Sequence, residues 1–427
     1  MAAVTRDTCA ALDAADALAP LREQFDLPPG LIYLDGNSLG VLPCATAGRV
    51  QDVIRREWGQ DLIQSWNKAG WIDAPQRVGD KIARLIGAAP GEVIATDSTS
   101  VNLYKVLSVA LASVQAADTD ARRRVIVSER DNFPTDLYIA ESLARQHGFT
   151  LRLVETGEIA AQLTGTAGDE LAVLLLTHVH YRTGRMHPMA ELTAAAHAAG
   201  ALVVWDLAHS AGAVPVDLKG CDADFAIGCG YKYLNGGPGA PAFLWVHPRH
   251  LAQAVWQPLS GWMGHAAPFE FTPGYRPAAG VKAFLCGTPS PIALAALDCG
   301  LDTVLAAEAL GGMASVRAKS LAMTELFIAL VAQRCAGHGL SVQTPADQAL
   351  RGSQVSLHRE EGAYAIVQAL IARGVVGDYR APGILRFGFT PLTLRFVDVW
   401  DAVEQLLQVL ESGEWREARF HQRAAVT

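Results

Sequence analysis

The chain is poor in charged residues and has no long apolar run, and these two scarcities exclude several classes of protein. Asp, Glu, Lys and Arg make up 18% of the 427 residues, whereas hydrophobic residues make up 50%. Such a composition argues against a disordered or fibrous chain and predicts a compact protein with a large core. No stretch reaches the roughly 18 uncharged apolar residues that span a bilayer, so we expect no membrane association.

Positive charge is also scarce. The formal net charge is −8, and the most basic run, Arg122 to Arg124, directly precedes the apolar residues 125–127. We interpret this run as a solvated loop before a strand and expect no nucleic-acid partner. The N-terminal residues lack a basic segment followed by an apolar one, so we expect no secretion signal and a cytoplasmic protein.

Cysteine occurs only as seven scattered residues, and no two of them form a C-x-x-C pair. This distribution argues against a zinc ribbon or a disulfide framework and favours free thiols in a reducing compartment. The motifs H-E-x-x-H and G-x-x-x-x-G-K-[ST] are both absent from the sequence. We therefore expect neither a metal site of that kind nor a P-loop.

Short apolar runs alternate with alanine-rich helical stretches through the middle of the chain. The predicted strands are 125–127, 151–154, 172–176, 201–205, 224–227 and 242–246, and the predicted helices include 134–148 and 189–200. This alternation predicts a mostly parallel sheet with helices on both faces. Ligands of such sheets bind at the carboxyl ends of the strands, so Thr177, Asp206 and residues 229–232 are candidates to line one crevice.

A run of turn residues from Gly287 to Pro291 separates this region from the C-terminal part of the chain. A helical pattern then covers about 292–334 with an interruption at 311–312, and two strands near 353–357 and 384–389 flank a helix near 363–373. We predict three parts from this pattern. They are an N-terminal segment that packs with the small domain (1–50), a large α/β domain (51–290), and a linking helix with a small α+β domain (291–427).

Two residues 26 positions apart indicate a cofactor. Asp206 follows the apolar run 203–205, and Lys232 lies in a glycine-rich loop. A lysine amine forms a Schiff base with the aldehyde of pyridoxal phosphate (PLP), and a carboxylate pairs with its protonated pyridine nitrogen. Taken singly, Lys232 would be interpreted as a surface residue and Asp206 as an N-cap for a helix from Leu207. Taken together, the two favour PLP.

Two segments before predicted helices are further candidates, each with a simpler alternative. Thr99 and Ser100 precede a helical pattern over 103–114, where they either cap the helix or bind a phosphate group. Phe133 and Asp136 lie in a segment that is either a turn before a helix or a place where a ring and a carboxylate meet a planar ligand.

Two other positions carry open alternatives. The turn 36–40 either enters a site or only connects two elements. Arg386 is a single guanidinium in an otherwise apolar strand, and such a residue needs an anionic partner. That partner is either a substrate carboxylate, gripped by two N–H donors, or a buried acidic side chain.

Six motifs resemble, in order, those of the kynureninases, PLP enzymes of fold type I in the class V aminotransferase group. The motifs are YLDGNSLG (33–40), STSVNL (98–103), NFPTD (132–136), WDLAHSAG (205–212), PLSGW (258–262) and LCGT (285–288). The resemblance runs from about Leu31 to about Ala402 and looks closest to bacterial members. It implies a large mostly parallel-sheet α/β/α domain with a smaller α+β domain, PLP as cofactor, and a homodimer with shared active sites.

The resemblance also implies a role for each matching residue. The catalytic residues would be Lys232, which carries the cofactor, Asp206, which holds its pyridinium, and Tyr231, the candidate general acid/base near the phosphate end. The further cofactor-binding residues would be Thr99, Ser100, Phe133, Asp136, His209 and, reaching the site of a partner subunit, Trp262 and Thr288. The substrate-binding residues would be Arg386 at the carboxylate and Ser38 and Trp66 at the aromatic end.

The implied reaction is hydrolysis of the Cβ–Cγ bond of L-kynurenine to anthranilate and L-alanine, in tryptophan catabolism and NAD biosynthesis, with 3-hydroxykynurenine reacting less well. Two alternatives stay open. An aminotransferase or cysteine desulfurase of the same group would use the same cofactor, although no cysteine here lies in an evident mobile loop. A non-catalytic regulator with this fold would be expected to lack Lys232 or Asp206, and both are present.

Overall fold

The computed structural model describes residues 4–118, 120–252 and 255–423. Numbered along the chain, the strands in these ranges are β1 Ile32–Tyr33, β2 Val93–Ala95, β3 Val125–Glu129, β4 Thr150–Val154, β5 Leu171–Thr177, β6 Leu202–Asp206, β7 Phe225–Gly228, β8 Phe243–Val246, β9 Ser341–Val342, β10 Gln354–His358, β11 Val375–Val376, β12 Asp378–Arg380 and β13 Ile384–Gly388.

The α-helices of the same ranges cover the sheets and link the two halves of the chain. They are α1 Arg6–Ala14, α2 Cys44–Asp52, α3 Ser65–Lys68, α4 Ala74–Leu85, α5 Thr99–Ala117, α6 Pro134–His147, α7 Ile159–Gln162, α8 Gly165–Glu170, α9 Met189–Ala198, α10 Pro248–Leu251, α11 Pro291–Leu305, α12 Gly312–Arg334, α13 Ala363–Ala372 and α14 Phe396–Ser412. Within the described ranges, none of the helices is long and apolar enough to cross a membrane.

The larger sheet has the strand order β2-β8-β7-β6-β5-β3-β4. The neighbours from β7 through β4 run parallel, whereas β8 is antiparallel to both β7 and β2. Every residue of β5 is buried, as expected for a strand covered on both faces. The predicted mostly parallel sheet is therefore confirmed, and the α/β fold class with it.

Alternate residues of β5 enter two different cores. Leu174 and Leu176 pack on the face that α4, α9 and α11 cover, whereas Val173 and Leu175 pack on the face of α5 and α6. Side chains alternate across a strand, so an unbroken apolar run supplies both layers at once. This is the physical reason for the α/β/α layering.

Two helices begin at the carboxyl edge of the sheet, each for a local reason. Ser98 caps α5 with its hydroxyl, which accepts the backbone N–H of Val101. Pro134 occupies the first turn of α6, where its missing N–H costs no hydrogen bond. The helix predicted over 103–114 thus begins four residues earlier than expected.

The residues after Asp206 form turns rather than a helix, so the interpretation of Asp206 as a helix N-cap was wrong.

The smaller sheet is antiparallel, in the order β12-β13-β10-β9, and packs with α12, α13 and α14 around its own core. The N-terminal segment joins this part of the molecule. β1 pairs in parallel with β11, and Arg6 at the start of α1 forms an ion pair with Asp401 on α14. Helix α2, which includes residue 50, packs on α11 instead. The three-part division at residues 50 and 290 stays a prediction.

Candidate active site

A cavity of about 350 Å³ opens at the carboxyl edge of the large sheet. Phe133 and Asp136 follow β3, Thr177 ends β5, Asp206 ends β6, and Lys232 follows β7, and all five line it. These four strands are neighbours and run parallel, so their carboxyl ends meet at one edge. The cavity has the size of a small-ligand site.

Two carboxylates lie at the base of this cavity. Asp206 and Asp136 are almost fully buried, and the hydroxyl oxygen of Thr177 lies 3.4 Å from Asp206 Oδ2 and 3.5 Å from Asp136 Oδ2. The backbone N–H of Ala208 donates to Asp206 Oδ1 at 2.8 Å. Burial raises the pKa of both carboxyls, and the charge of Asp206 raises that of Asp136 further. Such a pair needs a cation or N–H donor beside it when ionised.

The amine of Lys232 faces an imidazole. Its Nζ lies 3.0 Å from Nε2 of His209. Burial and the neighbouring Lys232 cation lower the pKa of His209 well below its usual value, so its ring is neutral. The other ring nitrogen of His209, Nδ1, is buried without a hydrogen-bond partner among the described residues. Phe133 is 43% exposed at the cavity mouth, with its ring centroid 6.0 Å from Lys232 Nζ.

Thr99 and Ser100 are the first residues of α5, and both line the cavity. The neighbouring Ser98 takes the capping role, and phosphate binding by Thr99 and Ser100 stays a prediction. A helix N-terminus carries partial positive charge and suits a phosphate group. Tyr231 lines the same cavity, and burial raises the pKa of its hydroxyl, which therefore stays protonated.

A buried lysine stabilises the turn of residues 97–98 that precedes α5. Lys105 on α5 is fully buried, and its Nζ lies 2.6 Å from Asp97 Oδ2 and 2.5 Å from the carbonyl oxygen of Phe284. Asp97 has a left-handed backbone (φ 49°) directly before the Ser98 cap. Sequence reasoning did not single out Lys105, although a single cation within an apolar helix is a usable signal.

Arg386 forms a buried ion pair, which is one of the two alternatives weighed for it. Its Nε donates to Asp378 Oδ1 at 2.7 Å and its Nη2 to Asp378 Oδ2. Nη2 also donates to Ser38 Oγ at 2.7 Å, and Nη1 to the carbonyl of Tyr181 at 2.6 Å. The fold thus brings Arg386 and Ser38 together. The role of Arg386 toward a substrate carboxylate stays a prediction.

Five predicted site residues do not line the Lys232 cavity in the single chain. Two of them are Arg386 and Ser38, which lie together beside it, and the other three lie elsewhere. Trp66 packs edge-on against Trp71 with ring centroids 5.9 Å apart. Trp262 packs edge-on against Phe269 and is 36% exposed. Thr288 is exposed and lines a neighbouring cavity of about 250 Å³. The predicted contribution of Trp262 and Thr288 to a partner's site is untested in one chain.

Tyr181 was missed by sequence reasoning. It lines the cavity, its ring packs edge-on against Phe133 at 5.4 Å, and its carbonyl accepts a hydrogen bond from Arg386. Tyr181 lies in the loop after β5. Because loops at the carboxyl ends of parallel strands line the crevice of the sheet, its position in the sequence could have identified it. Asn132, whose Oδ1 accepts the Thr177 hydroxyl at 2.5 Å, also belongs to this network.

The donor set of the cavity fits PLP. The buried Asp206 and Asp136 carboxylates need a hydrogen-bond donor or cation beside them, and a pyridinium N–H would be one. Lys232 presents its amine beside a neutral imidazole, and the N-terminus of α5 presents hydroxyls to a phosphate. The unpartnered Nδ1 of His209 further indicates a polar occupant.

Comparisons with known proteins agree on family and fold. The family model of the kynureninase C-terminal domain matches residues 316–406. The kynureninase of Pseudomonas fluorescens is 57% identical over 425 residues, which covers 99% of this chain and 100% of that protein.

Solved structures of related fold are more distant. The cysteine desulfurase CsdA of Escherichia coli superposes with a TM-score of 0.75 at 21% identity and covers 92% of this chain and 98% of that one. A variant of C-DES with glycine covalently linked to its PLP cofactor gives 0.74 at 18% identity, covering 90% and 98%. At such identities these likenesses show the fold alone, and it is the fold of PLP enzymes.

Proposed function

Since the chain belongs to the kynureninase family, we propose that it hydrolyses the Cβ–Cγ bond of L-kynurenine to anthranilate and L-alanine, with PLP as its cofactor. 3-Hydroxykynurenine would be the poorer substrate. The observation that carries this proposal is a single cavity lined by Lys232, His209, Asp206 and Asp136. In it the Nζ of Lys232 lies 3.0 Å from Nε2 of the neutral His209 ring.

Each cofactor-binding residue has a definite task. When bound, PLP supplies an electron sink for negative charge that develops on the substrate carbons. Asp206 would keep the pyridine nitrogen protonated, because a buried carboxylate is stabilised by a hydrogen-bonded cation. Phe133 would contact the ring, and Thr99 and Ser100 would hold the phosphate with their hydroxyls at the positive end of α5.

Lys232 moves the proton at the substrate's α carbon. Its Nζ needs a neutral form to accept that proton, and the neutral ring of His209 at 3.0 Å can accept an N–H from it and so orients the lone pair. The protonated hydroxyl of Tyr231 then donates to the γ carbonyl oxygen as water adds to the carbonyl carbon. The Cβ–Cγ bond then breaks, its electron pair remains on Cβ, and anthranilate leaves. Cβ takes up a proton, Lys232 returns the proton to Cα, and L-alanine leaves.

The substrate lies between the two domains in this proposal. Arg386 binds the α-carboxylate, while Ser38 and Trp66 border the aromatic end. Trp262 and Thr288 complete the neighbouring site of a homodimer. Exposed aromatic side chains around Trp262, namely Trp256, Phe269 and Phe271, support a surface that a second subunit covers.

We further propose a cytoplasmic enzyme of tryptophan catabolism. All seven cysteines are free thiols, which is the usual state in a reducing compartment. The same cysteines speak against a desulfurase, since burial raises the pKa of Cys229, the cysteine near Lys232, and so disfavours the reactive thiolate.

The test compares two variants of the holoenzyme. Replacing Lys232 with Ala is expected to remove both anthranilate release from kynurenine and the absorbance band of lysine-bound PLP. Replacing Lys219, which is on the surface and paired with Glu92, is expected to leave both intact. A wild-type-like PLP band in the Lys232→Ala protein would contradict the assignment. Keto-acid formation without anthranilate would indicate an aminotransferase instead.

A further inference from the structure

One carboxylate in the small domain holds two guanidinium groups. Asp378 faces Arg386 across the antiparallel pair β12–β13, where the two residues are Cα partners. Asp378 is 1% exposed. Its Oδ1 accepts from Arg386 Nε at 2.7 Å, and its Oδ2 lies 2.7 Å from Arg380 Nη2. Arg380 and Arg386 are therefore bridged into one cluster.

Arg386 has little hydrogen-bonding capacity left. Its guanidinium carries five N–H donors. Two of these donors bind Asp378, one binds Ser38 and one binds the Tyr181 carbonyl. One N–H, on Nη1, is left for an incoming group. A two-pronged grip on a carboxylate therefore requires a second donor, and Arg380 is the guanidinium that Asp378 holds beside it.

The charge of the cluster leads to the same conclusion. Two guanidinium groups face one fully buried carboxylate, which leaves one positive charge uncompensated when the nearby Asp35 is protonated. Burial and the charge of Asp378 favour that protonated form of Asp35. A partly buried excess cation is stabilised by an anion.

This positive charge acts at the cavity. Arg386 and Arg380 both lower the pKa of His209, which lines it. Arg386 is bonded to the backbone of Tyr181, whose side chain lines the same cavity. The side chain of Arg380 is 35% exposed, so it can be reached from solvent.

We propose that Arg380 is a second binding residue for the α-carboxylate of the substrate, and that Asp378 is the positioning residue that aligns it with Arg386. This inference rests on the proposed function, because it takes an α-amino acid as the ligand. Arg386 is paired with Asp378 and keeps only one N–H for a ligand. Arg380 therefore supplies the second hydrogen-bond donor and the uncompensated positive charge.

The experiment uses PLP-loaded enzyme and two probes, L-alanine and L-alaninamide, which differ only in the carboxylate. Binding is followed by the change in absorbance of the bound cofactor. Arg380→Met is expected to weaken L-alanine binding roughly tenfold, as for one charge at a partly exposed site. L-Alaninamide binding should not change. Arg380→Lys should restore part of the loss, since it keeps the charge without the planar fork.

Two further variants complete the test. Asp378→Asn should also weaken L-alanine selectively and raise KM for kynurenine more than it lowers kcat, because Arg380 and Arg386 lose their common anchor. Arg419→Met, on the exposed surface of the same domain, is the matched control and should change neither probe.

The outcomes separate the two proposals. The role of Arg380 would be overturned if Arg380→Met weakened the binding of L-alanine and L-alaninamide equally, or did not weaken the binding of L-alanine. This conclusion would hold even if Asp378→Asn failed to fold. If kynurenine were not cleaved while the carboxylate-selective loss appeared, the proposed reaction would be wrong and the carboxylate site would stand.

Discussion

At the residue scale, Asp35 is the group beside the carboxylate site whose charge changes near neutral pH. Burial and the charge of Asp378 raise its pKa to about 7, against the lowering effect of Ser38, Arg386 and Arg380. An ionised Asp35 would offset the excess positive charge of the arginine cluster. The affinity for an amino-acid carboxylate therefore depends on the protonation of Asp35.

Two tyrosines also face Asp35, and neither changes its charge in this range. Tyr33 and Tyr233 are held protonated, because burial raises the pKa of both and the charge of Asp35 raises it further. Asp35 is thus the group of this cluster expected to titrate near neutral pH.

The first prediction concerns Asp35→Asn. In the wild type, L-alanine binding should weaken as the pH rises through about 7, because Asp35 becomes negative beside the carboxylate site. In the variant this dependence should disappear. L-Alanine titrations of the PLP absorbance at several pH values measure it, with Asp120→Asn on the exposed surface as control. The same pH dependence in both variants would contradict it.

The same substitution is expected to change the stability of the fold by an amount that depends on pH. The folded-state pKa of Asp35 lies above its unfolded value of about 3.9, so ionisation destabilises the fold as the pH rises between these values. Asp35→Asn should therefore gain stability relative to the wild type at pH 8 and not at pH 4. Urea unfolding at the two pH values measures the difference.

At the element scale, the turn 36–40 docks on the loop that carries Lys232. The backbone N–H of Gly40 donates to the Tyr231 carbonyl at 2.8 Å. A Cβ on Gly40 would overlap the carbonyl of Lys232 and lie 2.6 Å from Asn235 Oδ1. Only glycine allows this approach, and the approach places Ser38 beside Arg386.

Gly40→Ala is therefore expected to push the turn off the loop. We expect a loss in unfolding free energy on the order of 1–3 kcal/mol from overpacking, together with weaker PLP binding. The matched control is Gly48→Ala within α2, where a Cβ meets nothing within 4 Å. That change should stabilise by roughly 0.5–1 kcal/mol, as for alanine over glycine in a helix. Equal effects of the two changes would contradict the docking role.

At the scale of the whole molecule, one chain leaves Trp262 on its surface. Trp262 lies outside the cavity of its own Lys232, among exposed aromatic side chains. If Trp262 completes the site of a second subunit, the two residues act in trans. This arrangement predicts the behaviour of mixed dimers.

Lys232→Ala and Trp262→Ala chains should each be impaired alone and recover activity when refolded together. In a hybrid dimer, one site combines an intact Lys232 with an intact Trp262 from the other chain, and the second site lacks both. Anthranilate release measures the recovery, with sedimentation to verify that dimers form. Absence of recovery in verified hybrids would contradict shared sites.

Much of the large domain could be predicted from local sequence. The strands β3 to β8 lie within one or two residues of their predicted bounds. For all of them except the half-exposed edge strand β4, this agreement arises because a strand buried on both faces needs an unbroken apolar run. Asp206, Phe133 and Lys232 could be placed in one crevice for a related reason, since each follows a strand and parallel strands end at one edge.

The sequence by itself therefore determined the layered fold and the cavity that joins Lys232 to Asp206, since unbroken apolar runs and strand-end positions are local properties of the chain. Its ordered motifs determined the family. Only the tertiary structure decided the partners of the buried charges. Asp378 faces Arg386 through the antiparallel register of two short strands, and Lys105 reaches a carbonyl 179 positions away. Such pairings depend on how distant segments meet, and burial without them would cost several kcal/mol for each charge.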